Sequence, residues 1–509
     1  MFALLAEHRG RLFPDGLFAD LFPSRRGRPS VPGEVVASVI VLQALYGYSD
    51  RDAVGALTFD LRWKAACGYA VDAKGFDAST LTYWRRRLAA SDRPQRVFEV
   101  VRDVVAHSGA LKAKTRRALD STVLDDAVAR QDTVTQLVAQ VRRVAREVPG
   151  AQVVVTARCT RLAALTGQDY TVAKKPSIVW DDPAAREELV SALVGDALAL
   201  LAGLDVEAVT AAGGEPAQAL ALLALVAGQD VEPAEGSDGT DGRWRVARRT
   251  APDRVVSTVD PDTRHAHKTR QRHQDGFKAH VVVEPDTGLT CAVKVTKAAG
   301  PQNSDAAVGT VLLGQDQTLA PDQQVQVLAD SAYGSGQALH AIATAGHTPL
   351  IKPGPLRPAV PGGFTVDDFA YDPHGPNQVG GAGTLTCPAG HTRPLTRSRT
   401  VSFGKACPTC PFLARCTSAK TKKTKVHEHD LLLRRQRRAA QDPTFRTVYR
   451  QHRPMVERTL AWLTRGARRV PYRGVDKNNA WFHHRAAAVN LRRLLTMGLT
   501  WHEGTWTLA

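Results

Sequence analysis

Residues 276–297 constrain the architecture more than any other stretch. GFKAHVVVE and LTCAVKVTK have strand length and composition, and the PDTG between them is a hairpin turn. Cys291, Val293 and Val295 are expected to share one face of the second strand. The pattern then changes: SDAAVGTVLL reads as a helix, VQVLAD as a strand, GQALHAIATAG as a helix and TPLIK as a strand. An antiparallel pair followed by a strand–helix–strand unit implies a mixed sheet flanked by helices, an α/β (α+β mixed) fold. The strand at 325–329 ends on a carboxylate, Asp330. In such sheets ligands gather beyond the carboxyl ends of strands. An Asp there also caps the next turn, so two uses are open.

Around this sheet the chain is largely helical. Residues 1–110 read as short helices. Pro32 suits a first turn, Val35, Val36, Ile40, Val41, Ala44 and Leu45 supply a wide apolar stripe, and Ser49 with Asp52 makes a capping pattern. A helix from Ser79 or Thr80 carries Arg85, Arg86 and Arg87 beside Tyr83 and Trp84. That suits a helix-turn-helix-like DNA module, or a plain bundle whose arginines extend along its surface. Residues 134–148 and 183–228 have helical spacing. The segment 229–242, with five acids and no base, reads as a linker or exposed loop. Residues 353–440 are rich in Pro and Gly, and a helical C-terminal region follows.

Charge narrows the partner. The 509 residues carry 67 Lys and Arg against 50 Asp and Glu, a net charge of +17, which points to a polyanion, most simply nucleic acid. Between Arg415 and Arg473 stand seventeen Lys or Arg and four acids, a density suited to tracking a DNA backbone. Trp462 and Tyr472 lie there and could stack on an unpaired base, although Trp462 falls in an apolar stripe that favours core packing. No stretch approaches the ~20 apolar residues of a membrane span, and the first residues lack a cleavage pattern for secretion. A reducing, cytoplasmic setting is expected.

Two further acids share the character of Asp330. Asp120 interrupts the apolar run of TRRALDSTVL. Glu457 sits in TVYRQHRPMVERTLAWLTR, where Tyr449, Arg453 and Glu457 recur every four residues and would line one face of a continuous helix. Pro454 either kinks that helix or starts a new one.

These blocks, ALDST, VDPDTRHAHKTRQRHQDGFKAHVVVEPDTGL, VLADSAYGS, YRQHRPMVERTLAWL and YRGVDKNNAWFHHRAAAVNLRRLL, together resemble the DDE transposases of bacterial insertion sequences. The likeness is to the branch with a helical N-terminal domain and a Cys-bearing insertion before the last acid. It implies a ribonuclease-H-like mixed sheet flanked by helices, with Asp120, Asp330 and Glu457 as a triad holding Mg²⁺ or Mn²⁺. It implies DNA strand cleavage and strand transfer at element ends, with double-stranded DNA as partner and a homodimer or larger synaptic assembly in the bacterial cytoplasm, at the nucleoid. Tyr449, Arg453 and Arg465 would contact DNA, as would Arg85, Arg86 and Arg87. The chain departs from the related signature in two places: Tyr449 stands one position early, and Thr464 holds the Lys position, with Arg465 beside it. The expected divisions are 1–110 for DNA binding, 111–133 with 245–352 as the first parts of the core, 134–244 as a helical insertion, 353–440 as a Cys-rich insertion, and 441–509 as the helical end of the core. A catalytically inactive DNA-binding regulator of the same fold, or a hydrolytic nuclease, are the alternatives.

Independently of that likeness, three carboxylates suit the chemistry. Divalent ions on hard oxygen ligands stabilise the charge that develops in phosphoryl transfer. The cysteines suggest a second metal. Cys407-x-x-Cys410 is a spacing that wraps zinc, and Cys387 and Cys416 complete four thiolates, with His391, or more distantly His427 and His429, as substitutes. A redox role for the CxxC is the rival, without the βαβ context it requires. A Pro/Gly-rich segment is expected to bury little core of its own, so a metal would help it fold.

Overall fold

A computed structural model describes residues 1–23, 30–267, 273–375 and 381–508. Residues 268–272, inside the quoted HAHKTRQRHQ stretch, lie outside the described residues.

The chain begins with helices α1 (Phe2–Leu12), α2 (Gly33–Tyr46), α3 (Asp50–Phe59), α4 (Leu61–Cys67), α5 (Ser79–Ala89) and α6 (Arg96–His107). Pro32 is the N-cap of α2, and Ser49 and Asp52 close a reciprocal capping box on α3. Every residue of α2 from Val35 to Ala44 is buried, so this helix is enclosed on all sides and has no polar face. Its apolar side chains join those of the sheet in one continuous core.

Strand β1 (Arg116–Asp125) enters the sheet next. Its first half is anchored by Arg117, 1 % exposed, whose Nε lies 2.6 Å from Asp316 Oδ2. A helical insertion follows: α7 (Thr133–Glu147), α8 (Ala151–Arg158), α9 (Arg161–Thr166), α10 (Pro183–Ala202), α11 (Val206–Ala212) and α12 (Gly214–Gln229). It packs on its own core of Leu137, Val141, Leu189, Leu193 and Leu223, among others. No single helix among the described residues is long and apolar enough to cross a membrane. The acidic 229–242 segment is less open than its composition suggests. Its start forms β2 (Val231–Pro233), which pairs with β3 (Trp244–Val246).

The main sheet is seven-stranded. β4 (Val255–Ser257) and β5 (Asp260–His267) lead into β6 (His273–Glu284), which turns back as β7 (Leu289–Lys297). After α13 (Asp305–Gly314) come β8 (Gln326–Ala329), α14 (Gly336–Thr344) and β9 (Thr348–Ile351). β6 lies antiparallel to β1 on one side, and β8 and then β9 run parallel to β1 on the other. The resulting order β7-β6-β1-β8-β9 is mixed and consistent with a ribonuclease-H-like fold. One expectation for the hairpin fails. The register slips between Val282 and Val283, leaving Cys291 as an extra residue opposite them. The bulge moves Cys291 into the core with Leu119 and Val327, while Val293 and Val295 face the other core.

The Pro/Gly-rich region is also more structured than its composition implies. It forms β10 (Ala370–Asp372), β11 (Thr384–Thr386) and β12 (Thr392–Pro394), then β13 (Thr400–Ser402), the short α15 (Leu413–Cys416) and β14 (Lys423–Lys425). Phe369, Leu385, Leu395, Val401, Phe403 and Val426 make a private apolar core, because strands this short still alternate their faces. The expectation of little buried core is therefore corrected. The chain ends with α16 (Asp430–Ala439), α17 (Pro443–His452), α18 (Pro454–Thr464), α19 (Val475–Thr496) and a terminal hairpin. Arg485 of α19 donates to the carbonyls of Ala44, Leu463 and Arg465, tying the N-terminal helices to α18.

Candidate active site

The sheet register brings the two aspartates together. Ala118 of β1 pairs with Leu328 of β8, so two residues farther along, Asp120 and Asp330 stand side by side. Asp120 is largely buried, and Asp330 sits just past the carboxyl end of β8. Asp330 also accepts the amide of Ala332 at 2.9 Å, so the capping use anticipated for it is realised too. Burial pushes the Asp120 carboxyl above the usual range. The cation of Arg453 opposes that push, and the negative charge of Asp330 reinforces it.

Glu457 arrives on α18, and local chemistry explains where that helix lies. Pro454 occupies its first turn, beginning a new helix after α17, while the amide of Arg453 still bonds to the Tyr449 carbonyl at 3.0 Å. Val456, Leu460 and Leu463 face the core. Thr459 donates to the carbonyl of Gly288 in the PDTG turn at 3.2 Å. Gly288 has φ +72°, and a Cβ there would lie 3.1 Å from both Met455 and Trp462. The hairpin turn is thus a seat for α18, and Glu457 projects from the opposite, exposed side.

Arg453 joins these parts. Its side chain is 6 % exposed, with Nη2 3.1 Å from Asp120 Oδ2 and Nη1 3.3 Å from Glu457 Oε1, while its Nε is buried without a hydrogen-bond partner. Burial works against its charge, but Asp120, Tyr449, Glu457 and Asp330 outweigh this and raise its pKa. Tyr449 donates to the carbonyl of Ala329 at 3.3 Å, one residue before Asp330. Tyr449, Arg453 and Glu457 therefore stay on one side of the chain despite the proline.

Sequence reasoning missed a supporting layer. Asp305, at the start of α13, accepts from Ser121 Oγ at 2.5 Å and lies 3.2 Å from Lys278 Nζ. The Tyr333 ring, 1 % exposed, packs against Gly309, where a Cβ would come within 2.4 Å. Burial, with Asp305, Asp120 and Asp330 nearby, holds its hydroxyl far above the ordinary pKa, so it stays neutral. Its sequence signal was the glycine of SDAAVGTVLL, a residue without obvious purpose in a helix.

The carboxylates fit a hard divalent cation in kind: all are oxygen donors, and a positive group already stands among them. They do not fit in spacing. Among the described residues no three His, Cys, Asp or Glu side chains are drawn together as a metal-holding set. Glu457 meets Arg453 instead.

The other predicted contacts divide. Arg465 and Arg86 are exposed. Arg85 is ion-paired with Asp50 and lies over the Tyr472 ring, and Arg87 bonds to Tyr83 and to the Leu21 carbonyl. Trp462 packs against the core beneath Arg493. Cys387, Cys407, Cys410 and Cys416 line one cavity of about 20 Å³ with His391, and the Lys422 amide lies 3.4 Å from Cys407 Sγ. Burial raises the Cys416 thiol, and the three other sulfurs raise it further against the pull of Lys422. His427 and His429 lie apart from this cavity, beside Gly336 and the His340 ring.

Residues 386–495 match the family model described as Transposase DDE domain, and residues 7–87 match Transposase domain (DUF772). Both matches are to transposase families, and they support the resemblance to the DDE transposases of insertion sequences. The first match spans the cysteines, Arg453 and Glu457; the second spans α2 to α4 and most of α5. Asp120 and Asp330 fall between them. No curated protein and no solved structure matches the chain. Transposases of this family act on DNA and in general use a divalent metal such as Mg²⁺.

Proposed function

We propose that the protein cuts DNA at the ends of an insertion sequence and joins the cut strand to target DNA. Asp120, Asp330 and Glu457 are its catalytic carboxylates. The observation that carries this is the side-by-side placement of Asp120 and Asp330 at the edge where β1 and β8 diverge, with Glu457 tied to Asp120 through Arg453. As oxygen donors, Asp120, Asp330 and Glu457 are the residues that would hold Mg²⁺ or Mn²⁺, which would supply positive charge for phosphoryl transfer. The residues around them set the field. Buried Tyr333 stays un-ionised beneath the acids, so it adds no negative charge there. Tyr449 fixes the turn that carries Asp330 by holding the Ala329 carbonyl. Arg453, exposed Arg465 and the basic stretch from Arg415 to Arg473 hold phosphates, in a salt-dependent way. Arg86 is the one arginine of its trio with an exposed side chain, and it extends that track.

The cysteine unit is read as a structural zinc site of Cys387, Cys407, Cys410 and Cys416. Support comes from four sulfurs on one small cavity and from an amide directed at Cys407. A dimer or larger assembly in the bacterial cytoplasm, at the nucleoid, follows from the need to hold two element ends.

The test is incubation of the purified chain with its own flanking DNA and Mg²⁺. Nicked ends that become covalently joined to a target plasmid are expected. Ends that are cut but never joined favour the hydrolytic nuclease, and binding without cutting favours the inactive regulator.

A further inference from the structure

The N-terminal helices and the segment after α18 enclose a cavity of about 470 Å³, within the ~300–1,000 Å³ usual for a ligand site. One wall carries Gly47, Ser49 and Arg51, and the facing wall Gly466, Arg469 and Pro471. All six are exposed and form its rim; Ile40, Ala44, His484 and Arg485 are its buried lining. The facing wall is pinned to the end of β1. The amide of Asp125 bonds to the Arg468 carbonyl at 2.8 Å, and that of Val470 to the Asp125 carbonyl at 2.9 Å.

Positive charge collects here without an acid to balance it. Arg485, 3 % exposed, spends three of its five N–H groups on the carbonyls of Ala44, Leu463 and Arg465. No carboxylate offsets the burial and the nearby Arg492 that pull its pKa down to about 10. His484 has a buried Nε2 with no hydrogen-bond partner, and burial, with Arg85 and His483 nearby, holds the ring neutral. Arg469 donates its Nε to the Asp126 carbonyl at 2.8 Å and feels the Asp126 charge only at longer range. Among the described residues Arg51, Arg469 and Arg485 form no ion pair, and the one carboxylate of the lining, Asp50, is already paired with Arg85. The aromatic rings are engaged by the protein itself. Tyr472 lies under Arg85, Trp481 under Arg485, and Tyr48 stacks on Trp63. The cavity thus offers charge rather than a free stacking platform.

We propose that this cavity seats a phosphate of the DNA backbone, clamped between the N-terminal helices and the segment after α18. The proposal deepens the reading of the Arg415–Arg473 stretch as a phosphate track and is independent of the carboxylates. Phosphate oxygens take the free N–H groups of Arg51 and Arg469 at the rim, in the forked geometry a guanidinium favours. They also bring the negative charge missing around Arg485. A neutral imidazole has one N–H to give, so the idle Nε2 of His484 can act as a further donor. The donors come from both stretches matched by transposase families, so one phosphate would hold the N-terminal helices and α18 on the same strand.

Binding of a labelled 30-base-pair mixed-sequence duplex, followed by fluorescence anisotropy over a salt series without divalent metal, tests this in full-length proteins. Arg51→Gln with Arg469→Gln is expected to weaken binding at least about tenfold and to flatten the slope of log affinity against log salt by about one, the loss of one phosphate contact. Unchanged affinity and slope overturn the cavity site and leave the track standing; binding of the unaltered chain that ignores salt sinks the track itself. An equal loss in Arg158→Gln with Arg186→Gln, two exposed arginines of the helical insertion, would assign the effect to general charge and overturn the site. Inorganic phosphate that raises the unfolding midpoint of the unaltered chain but not of the cavity variant, with duplex binding equal in the two, would make free phosphate the ligand and overturn the DNA assignment. A measurement on the unaltered chain covers a variant that fails to fold. Bound duplex should slow modification of Arg51 and Arg469 by an arginine-selective glyoxal at least about fivefold, read by mass spectrometry, and equal modification with and without DNA overturns the proposal.

Discussion

The carboxylate site and the cysteine cavity are built in opposite ways, and neither draws three donors into a metal-holding group among the described residues. The acids lie far apart in sequence, at 120, 330 and 457; Asp120 and Asp330 come side by side because β1 and β8 are neighbours in one sheet, and Glu457, on an α18 that rests on the PDTG turn, is linked to Asp120 through Arg453. The thiols lie within 387–416 and line one cavity formed by short strands and turns around a private core. The acids have an internal cation in Arg453; the thiols are partnered by a backbone amide and by each other's unfavourable field. A site assembled by long-range topology is thus neutralised by protein charge, whereas a site assembled locally relies on its shape. Removing a donor should accordingly damage chemistry in the first and local stability in the second.

The sharpest way to break this contrast is Asp330→Asn. The amide keeps the cap on Ala332 but loses the charge. Strand cleavage should fall at least ~10³-fold, about 4 kcal/mol of barrier, with the thermal unfolding midpoint little changed. Retained cleavage would falsify the assignment of the triad.

Cys407→Ser should do the reverse. Cleavage of residues 381–427 by a protease is expected to speed up about tenfold, ~1.4 kcal/mol of local opening. A chelator should reproduce the effect in the unaltered chain and add nothing in the variant. Protection that ignores both treatments would leave the thiols as core side chains alone.

A smaller effect tests what Arg453 does for Asp120. Asp126, one residue past β1, is buried with no side-chain ion pair among the described residues; its Oδ2 has no hydrogen bond, and burial with the nearby Asp275 and Asp260 pushes its pKa to about 6 against the weaker pull of Arg469. A carboxyl with a raised folded pKa favours the folded state below its unfolded value, 3.8 here, and loses that contribution as pH rises through about 6. Urea unfolding should therefore show Asp126→Asn gaining about 1–2 kcal/mol on the parent between pH 4 and 7, allowing for screening at the strand end. A flat difference across that range would mean Asp126 finds compensation comparable to what Asp120 gets from Arg453 and the Ser121 amide.

Much of this was readable beforehand, for identifiable reasons. The hairpin, the strand–helix–strand unit and the helices from Ser79 and Asp305, the second capped by Ser304, are written in local composition and spacing, which hold wherever the chain is placed. The bulge at Cys291 was not readable, because a single extra residue in a ladder leaves no mark on composition. Nor was the packing of the Cys-rich unit, where few but well-placed aromatics outweigh many prolines and glycines. Arg85 and Arg87 were expected at DNA; the fold in addition engages them with Asp50, Tyr83 and the Leu21 carbonyl, partners distant or local that only geometry selects.

The sequence by itself determined the elements, the basic surplus and the types of donor available, since these follow from short-range periodicity and side-chain chemistry. Only the tertiary structure decided that Asp120 and Asp330 are neighbours, that α18 sits on a glycine turn, and that Arg453 lies between the acids. Those facts depend on strand order and register, which bring together residues hundreds of positions apart.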